Sequence, residues 1–166
     1  EKHRPIRFND YAGYTMAAMG SIGAAFASPE TKDGGEVIPS QIYYRPFNSW
    51  APNGDWTQSL PKGEEVTCLA VGSTFVAVST SLRFLRVFSF SGIQLFVLSL
   101  AGNCVCMSGF DDLLGVAHHS ASSPSPLGDQ VLEFQVINVK TRSVSSRGPL
   151  CLPPKATLEW FSVLPS

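Results

Sequence analysis

The stretch from residue 66 to residue 119 contains one run of four short strand-like segments and then the opening of a second run. The apolar segments of the first run lie at 66–72, 75–78, 84–90 and 93–98, separated by short turns. The opening recurs at 104–109 and 113–117, displaced by roughly the 40 to 45 residues that one propeller blade occupies. Successive short strands that repeat in this way are typical of β-propellers. The sequence therefore predicts an all-β protein, a β-propeller of four-stranded antiparallel blades.

A further copy of the repeat precedes the central one. Its strands are predicted at 14–18, 23–27, 41–44 and 56–60, with a polar insertion at 29–39. The copy that opens at 104 continues with strands at 130–139 and 143–146, after a Ser/Pro-rich insertion at 120–129. Both insertions fall between the second and third strands, and insertions in repeat proteins collect on one face. We therefore place the blades at approximately 8–61, 62–100 and 101–147.

Residues 158–163 are predicted to form the first strand of a further blade, which would start within 150–166. A propeller ring typically contains four to eight blades, so this chain supplies about half of a ring. The chain does not begin with Met, and we expect it to be a piece of a longer protein. A half ring leaves apolar blade faces that the complete ring would cover, which predicts that the isolated chain associates.

The composition favours a globular intracellular domain. Of the 166 residues, 44% are hydrophobic and 15% are charged, which is enough apolar material for a domain-sized core. The net charge of -1 gives no field that would attract nucleic acid or an anionic membrane, so no direct nucleic-acid site is predicted. The longest apolar run, 93–107, is interrupted by Gly102 and Asn103 and is shorter than the roughly 20 residues of a membrane-spanning helix. No membrane association is predicted.

Cys104 and Cys106 are the pair that most resembles half of a zinc site, because zinc takes four ligands and cysteine pairs often lie close in sequence. Residues two apart on a strand point to the same face, so both thiols are predicted to enter the packed interior as free cysteines. Cys68 opens the equivalent strand of the preceding blade, which supports a packing role. No metal and no cofactor are predicted.

His118 and His119 are candidates for a metal ligand or a catalytic base. Neighbouring residues on a strand face opposite ways, and no nucleophile or acidic cluster lies nearby in sequence. The pattern therefore predicts one buried and one exposed histidine.

Two acidic pairs, Glu64–Glu65 and Asp111–Asp112, have the residue types of a general acid and base. Both pairs fall at predicted turns, where acidic residues are common for conformational reasons. We interpret all four as solvated turn carboxylates, and no catalytic residue is predicted.

Nucleotide and glycosidase motifs are incomplete. Gly20, Gly23 and the Gly54–Asp55 pair do not form either glycine-rich phosphate-binding motif. Residues 53–57 resemble the Asp-box turn of sialidases, but the Ser-x-Asp-x-Gly order is missing and the segment does not repeat. These patterns give no anchor for an enzymatic activity.

The three tryptophans are candidates for partner contacts, since exposed tryptophan is enriched at binding hot spots. Trp56 begins a predicted strand and Trp160 lies within one, so both are predicted to pack in the core. For Trp50, in a connection rich in Pro and Asn, burial and exposure remain open.

An extended pattern of short segments resembles one known family. The segments that carry the resemblance are Tyr14-Thr15-Met16-Ala17-Ala18-Met19, Ser49-Trp50 with Trp56, Leu60-Pro61-x-Gly63-Glu64-Glu65-Val66, Val76-Ala77-x-x-Thr80-Ser81, Leu85-Arg86-x-Phe88, Gly92-Ile93-Gln94, Ser99-Leu100-x-Gly102 and Met107-x-Gly109. Their order and spacing resemble the replisome adaptor family of the chromosome transmission fidelity and minichromosome loss proteins. The animal members are called WD-repeat and HMG-box DNA-binding proteins. The resemblance covers residues 8–119 well, with departures at Phe75 and at Asn103–Cys104.

The resemblance implies that this chain is part of the family's central β-propeller, which trimerises and contacts the replicative helicase. A nuclear, non-catalytic adaptor that helps link the helicase to DNA polymerase alpha-primase is then expected. Two alternatives remain open, an unrelated WD-type propeller that serves another intracellular complex and a propeller hydrolase. The protein-binding residues are not predicted, because loops and rims that make such contacts carry no signature here.

Overall fold

A computed structural model describes residues 10–47, 54–121 and 129–164. Within these residues the chain forms fourteen β-strands and no helix. The strands are β1 (Met16–Met19), β2 (Gly23–Ser28), β3 (Thr31–Asp33), β4 (Glu36–Ile38), β5 (Gln41–Pro46), β6 (Trp56–Ser59), β7 (Val66–Val71), β8 (Phe75–Thr80), β9 (Phe84–Ser89), β10 (Gln94–Ser99), β11 (Cys104–Phe110), β12 (Leu113–His119), β13 (Leu132–Asn138) and β14 (Ser143–Leu150).

The strands form three four-stranded antiparallel sheets and one separate hairpin. The sheet orders are β1-β2-β5-β6, β7-β8-β9-β10 and β11-β12-β13-β14, and they are called blades 1, 2 and 3 below. The all-β fold with four-stranded blades is confirmed. Each of the twelve strands predicted for these blades is present, with bounds that shift by a few residues. The division of the chain into blades at 8–61, 62–100 and 101–147 stays a prediction.

The first strand of each sheet lies at the centre of the assembly. β7 contacts β1 and β2 on one side and β11 on the other, so the first strand of blade 2 lies innermost. The inner strands approach so closely that a Cβ atom added at Gly109 would lie 2.5 Å from the Val71 carbonyl oxygen. Glycine is required there because the backbone of the neighbouring blade occupies the side-chain position.

Strand β8 is buried along its whole length because blade 2 lies between blades 1 and 3. Val76 and Val78 pack into the core between blades 1 and 2, whereas Phe75 and Ala77 pack into the core between blades 2 and 3. Alternate side chains of a strand point to opposite faces, so a strand covered on both faces needs a continuous apolar run. Burial of each large side chain contributes about 1.5–3 kcal/mol relative to exposure.

Aromatic rings join blade 1 to blade 2. Tyr44 stacks on Phe90 with ring centroids 4.7 Å apart, and Trp56 lies 5.8 Å from Phe88. The Trp56 indole N–H donates a hydrogen bond of 3.0 Å to the Phe90 carbonyl. These aromatic rings bury apolar surface between the two blades. The indole N–H of Trp56, which is partly buried with them, has a hydrogen-bond partner.

The insertion at 29–39, predicted as an irregular stretch, contains the β3–β4 hairpin. Gly34 and Gly35 form its turn with φ values of 56° and 92°, a conformation that glycine adopts without strain. The base of the hairpin is fixed to the link between blades 1 and 2. The Glu30 N–H donates to Glu65 Oε1 at 3.1 Å, and the Gly63 N–H donates to Glu30 Oε2 at 2.6 Å.

Residues 158–163 are extended and form no ladder among the described residues, so a further blade that starts within 150–166 stays a prediction. A Cβ atom added at Gly115 would meet the side chains of Phe161 and Val163, so the segment packs on blade 3. The Val163 N–H donates to Ser108 Oγ at 3.2 Å. An innermost strand is hydrogen-bonded to the second strand of its own blade, and no described strand takes that place for 158–163.

Candidate functional site

A buried ion pair links the entry of blade 2 to its third strand. Arg86 Nε and Nη2 donate to the two carboxylate oxygens of Glu64, each at 2.8 Å, and Arg86 Nη1 donates to Gln94 Oε1 at 3.0 Å. The Glu64 residue is 1% exposed. The prediction that Glu64 is a solvated turn carboxylate is therefore wrong. Its partner lies 22 positions away on β9, a pairing that turn composition does not reveal.

The environment keeps Glu64 ionised. Burial alone would raise the pKa of its carboxyl group, but hydrogen bonds from Arg86 and Thr80, with the charge of Arg86, hold the pKa below its ordinary value. A carboxylate that is already paired in both oxygens is a structural anchor. Both of its oxygens already accept hydrogen bonds from Arg86.

Blade 3 contains a buried imidazole near the end of its second strand, β12. His118 is fully buried, and its Nδ1–H donates to the His119 carbonyl at 2.8 Å. The Gln135 amide lies 3.0 Å from His118 Nε2, which accepts its hydrogen bond. His119 is partly exposed. The predicted burial of one histidine is confirmed, and both ring nitrogens of His118 have partners inside blade 3.

A small cleft opens between the outer strands of blades 1 and 2. Its volume is about 190 Å³, below the 300–1,000 Å³ that is typical of pockets for small organic ligands. The Gln58 amide crosses the cleft and donates to the Gly92 carbonyl at 3.0 Å. The lining residues are Gln58, Ser59, Leu60, Pro61, Arg86, Phe88, Gly92 and Gln94.

The cysteines do not share one face. Cys104 pairs in register with His118 and Cys106 with Ala117, because a β-bulge interrupts the ladder between them. His118 and Ala117 are neighbours on β12, so Cys104 and Cys106 point to opposite faces, and the prediction of a common face is wrong. Cys104 faces the core between blades 2 and 3. All three strand cysteines are partly buried free thiols.

Cys68 lies directly against the bulge of β11. Its Sγ is 3.5 Å from the Val105 carbonyl oxygen and 3.9 Å from the Cys104 carbonyl oxygen. Among residues 10–47, 54–121 and 129–164, no three His, Cys, Asp or Glu side chains form a group that could hold a metal ion. The same part of the chain contains no helix long and apolar enough to cross a membrane.

The remaining acidic residues have local roles. Asp111 is exposed in the β11–β12 turn, as predicted, and its carbonyl accepts a hydrogen bond of 2.9 Å from the Ser73 N–H. Asp112 is half-buried and its Oδ1 accepts from the Thr74 hydroxyl at 2.9 Å. The pair therefore links blade 3 to the β7–β8 turn of blade 2. Glu65 is half-buried at the base of the hairpin described above.

Gly20 and Gly23 lie at the two ends of the β1–β2 turn. A Cβ atom added at Gly20 would meet the Val71 side chain at 2.7 Å. At Gly23 it would meet the Tyr44 ring, whose hydroxyl is buried without a hydrogen-bond partner among the described residues. Burial raises the pKa of Tyr44 to about 12. These glycines are required for packing between strands and blades, which agrees with the absence of a phosphate-binding motif in the sequence.

The tryptophans divide between core and surface. Trp56 packs between the blades, as predicted, whereas Trp160 is 76% exposed and its predicted burial is wrong. Trp160 precedes Phe161, which faces blade 3, and alternation in an extended segment directs Trp160 away from it. Trp50 and Asn53 lie outside the described residues. Asp55, in the segment that resembles an Asp box, accepts a hydrogen bond of 2.9 Å from the Tyr43 hydroxyl.

Exposed apolar side chains occur at both ends of the blades. In a four-stranded meander, the turns between strands one and two and between strands three and four lie on one face. We call this the upper face, and its exposed apolar residues are Ile22, Phe47, Ile93 and Phe110. The opposite, lower face contains the exposed residues Ile38, Leu82 and Val131. Exposed apolar residues that cluster at such surfaces are typical of protein-binding sites.

The fold defines a partial β-propeller in which the buried Glu64 and His118 are paired with other side chains. Over residues 1–163 the chain matches the family described as the middle region of the minichromosome loss protein Mcl1. The chain belongs to this family. The resemblance found in the sequence is thereby confirmed.

Known relatives are much longer than this chain. It is 42% identical over 152 residues to Protein ENHANCER OF LHP1 1 of Arabidopsis thaliana, covering 92% of the chain and 15% of the relative. It is 30% identical to WD repeat and HMG-box DNA-binding protein 1 of Xenopus laevis, covering 96% and 14%. It is 32% identical over 94 residues to the DNA polymerase alpha-binding protein of Saccharomyces cerevisiae, covering 55% and 9%.

A solved structure supports the fold independently. The chain resembles the crystal structure of HIRA(644-1017) with a TM-score of 0.56 at 18% sequence identity. The match covers 84% of this chain and 39% of that structure. At this identity the similarity concerns the fold alone, and it is consistent with part of a β-propeller.

Proposed function

We propose that this chain is part of a non-catalytic β-propeller in a nuclear adaptor of DNA replication. In this proposal the propeller helps link the replicative helicase to DNA polymerase alpha-primase through protein contacts. The family match over residues 1–163 is the observation that carries the proposal. A relative whose name states that it binds DNA polymerase alpha supports that partner.

The positions of buried polar residues and exposed apolar residues support a scaffold role. Glu64 and His118, two fully buried titratable groups, are already hydrogen-bonded inside their own blades. Several exposed apolar residues lie on the two faces formed by the turns and links of the blades, where propellers commonly contact partners. Ile93 on the upper face is 66% exposed, and Leu82 on the lower face is 52% exposed.

Affinity purification tests the proposal. The native protein is tagged and purified from nuclease-treated nuclear extract, so that partners bridged only by DNA are removed. We expect DNA polymerase alpha-primase and helicase subunits in the eluate, and fluorescence microscopy is expected to place the protein in the nucleus. Recovery of neither complex, while other partners are recovered, would contradict the adaptor proposal.

Two matched variants ask whether this chain contributes to the contacts. One variant replaces Ile22 and Ile93 on the upper face with Asp, and the other replaces Leu82 and Val131 on the lower face. All four side chains are exposed, so folding should be retained, which circular dichroism checks. Loss of a partner in one variant assigns the contact to that face. If both variants retain all partners, the contacts lie elsewhere in the protein.

The complete propeller is also proposed to self-associate as a homotrimer. The uncovered blade faces of a half ring do not bear on this, because the other blades of the ring would cover them. Mass photometry of the native protein should show a species of three subunits. A strictly monomeric protein over the working range of concentration would argue against trimerisation.

A second candidate is an interaction module in a different assembly. The most informative observation for it is the 42% identity to a plant protein whose name refers to LHP1. The same affinity purification distinguishes the two candidates. A chromatin assembly without replication proteins would favour the second.

A further inference from the structure

The inner strands of blades 2 and 3 bring two cysteines from different repeats together. β7 and β11 lie side by side at the hub, where the Val71 carbonyl contacts Gly109. Three residues before Val71, the Cys68 thiol lies 3.5 Å from the Val105 carbonyl oxygen. The Cys68 thiol therefore points across the boundary between the blades, directly at the bulge that begins at Cys104.

Cys104 faces Cys68 from the other side of this boundary. Its side chain packs in the core between blades 2 and 3, with Sγ 3.5 Å from the Ala117 carbonyl oxygen. The Cys68 Sγ also lies 3.9 Å from the backbone carbonyl oxygen of Cys104 itself. Cys106 points to the opposite face of β11, as its register partner Ala117 shows. The bulge thus selects Cys104 over Cys106 as the partner of Cys68.

The surroundings give the two thiols different reactivity. The neighbouring Cys104 thiol, together with the Ser79 and Thr67 hydroxyls, lowers the pKa of Cys68 despite its burial. The same contact and burial raise the pKa of Cys104, which keeps its proton. A thiolate is the form that reacts with peroxides, so Cys68 is the nucleophile of the pair and Cys104 the resolving thiol.

We propose that Cys68 and Cys104 are a site of reversible oxidation, at which hydrogen peroxide produces a disulfide that joins blade 2 to blade 3. The Cys68 thiolate attacks one peroxide oxygen, the O–O bond breaks, and the departing hydroxide takes a proton to become water. Cys104 then loses its proton and attacks the sulfur of the Cys68 sulfenic acid. The S–O bond breaks and a second water leaves. Two thiols are oxidised and one peroxide is reduced.

The disulfide would close the chain between positions 36 residues apart and would fasten the two inner strands at the hub. Blade 2 and blade 3 could then no longer separate without reduction of the bond. The site is thus a covalent lock on the boundary between two repeats, and its chemistry is independent of the replication proposal.

Mass spectrometry of the native protein tests this site. The protein is reduced, freed of reductant, treated with hydrogen peroxide, alkylated and digested without reduction. We expect a cross-linked peptide pair that contains Cys68 and Cys104, lighter by about 2 Da than the two reduced peptides, and restored by a dithiol reductant. Fragment ions between Cys104 and Cys106 locate the bond in the unmodified sequence, so the result does not depend on a variant.

Three variants complete the test. Cys68→Ser and Cys104→Ser should abolish the cross-link, whereas Cys106→Ser, two residues along the same strand, should retain it. A bond from Cys68 to Cys106 would overturn the assignment. So would the absence of any cross-link in folded protein under conditions where urea-unfolded protein forms disulfides.

Discussion

Replacement of Glu64 by Gln should destabilise the propeller more than any change at an exposed carboxylate. The substitution keeps the shape of the side chain but removes the negative charge and one of the two acceptors for Arg86. The Arg86 guanidinium then remains in a partly buried place with an incomplete set of partners. Its side chain is 16% exposed, so water can solvate it only in part.

The magnitude follows from the two hydrogen bonds at 2.8 Å. Hydrogen bonds to charged groups contribute about 1.5–3 kcal/mol each, and removal of one partner of a buried pair costs about 3–5 kcal/mol. Gln retains one acceptor, and water reaches part of Arg86. We therefore expect Glu64→Gln to lower the free energy of unfolding by about 2–3 kcal/mol. The exposed Glu133→Gln should change it by less than about 0.5 kcal/mol.

The effect should depend on pH with a defined sign. The folded-state pKa of Glu64 lies below its ordinary value of 4.5, so ionisation of this group stabilises the folded state at pH values above 4.5. That contribution is lost as the pH falls through 4.5 towards the folded-state pKa. Gln does not titrate, so the difference in stability between the wild type and Glu64→Gln should shrink over this window.

Urea unfolding of the complete propeller, followed by tryptophan fluorescence, measures these differences. A double-mutant cycle with Arg86→Met separates the pair from the single changes, and we expect a coupling of about 2 kcal/mol. Equal losses in Glu64→Gln and Glu133→Gln, or a coupling near zero, would refute the structural reading of the pair. A difference that grows as the pH is lowered would refute the sign of the pKa shift.

Two further predictions concern packing between blades and the extent of the ring. Gly109→Ala should destabilise by about 1–3 kcal/mol in urea unfolding, because the new Cβ would lie 2.5 Å from the Val71 carbonyl oxygen, whereas Gly34→Asn in the exposed hairpin should have little effect. Equal effects at the two glycines would contradict the close approach at the hub. The isolated 166-residue chain should associate in light scattering, and a stable monodisperse monomer would contradict the inferred half ring.

The strands could be predicted because each blade faces another blade. Phe75, Val76, Ala77 and Val78 form an uninterrupted apolar run, and the structure shows that both faces of β8 are covered. Short apolar runs separated by turns were therefore sufficient to predict most of the strands in this chain. The β3–β4 hairpin was not predicted, because nearly all its residues are exposed and its sequence therefore shows no alternation of apolar and polar residues. The adjacent Gly34 and Gly35 were its one local signal.

The cysteine and glutamate assignments failed for reasons that are not local. A regular strand places Cys104 and Cys106 on one face, but the bulge adds one residue to β11, so their ladder partners His118 and Ala117 are neighbours and the second side chain is reversed. A bulge without glycine leaves no clear mark in the sequence. The burial of Glu64 depends on Arg86, whose position is set by the register in which β9 pairs with β8. Composition around Glu64 describes the turn and contains no information on that register.

The three blades place a polar residue at one common position and satisfy it in three different ways. The sixth residue of the second strand is Ser28 in blade 1, Thr80 in blade 2 and His118 in blade 3. All three are buried. The Ser28 hydroxyl accepts from the Gln41 N–H, Thr80 is paired with Glu64, and His118 is paired with Gln135.

The common position lies beside the buried Glu64 in blade 2 and contains the buried His118 in blade 3. The second strand ends where the link from the preceding blade enters, and buried backbone groups of such a link need hydrogen-bond partners. The Val66 N–H, for example, donates to Ser40 Oγ at 3.2 Å. The side chains at or next to this position are themselves paired, Glu64 with Arg86 and His118 with Gln135. Buried polar groups that are paired in this way meet the requirement that a buried donor or acceptor has a partner, which accounts for both residues as parts of the packed blades.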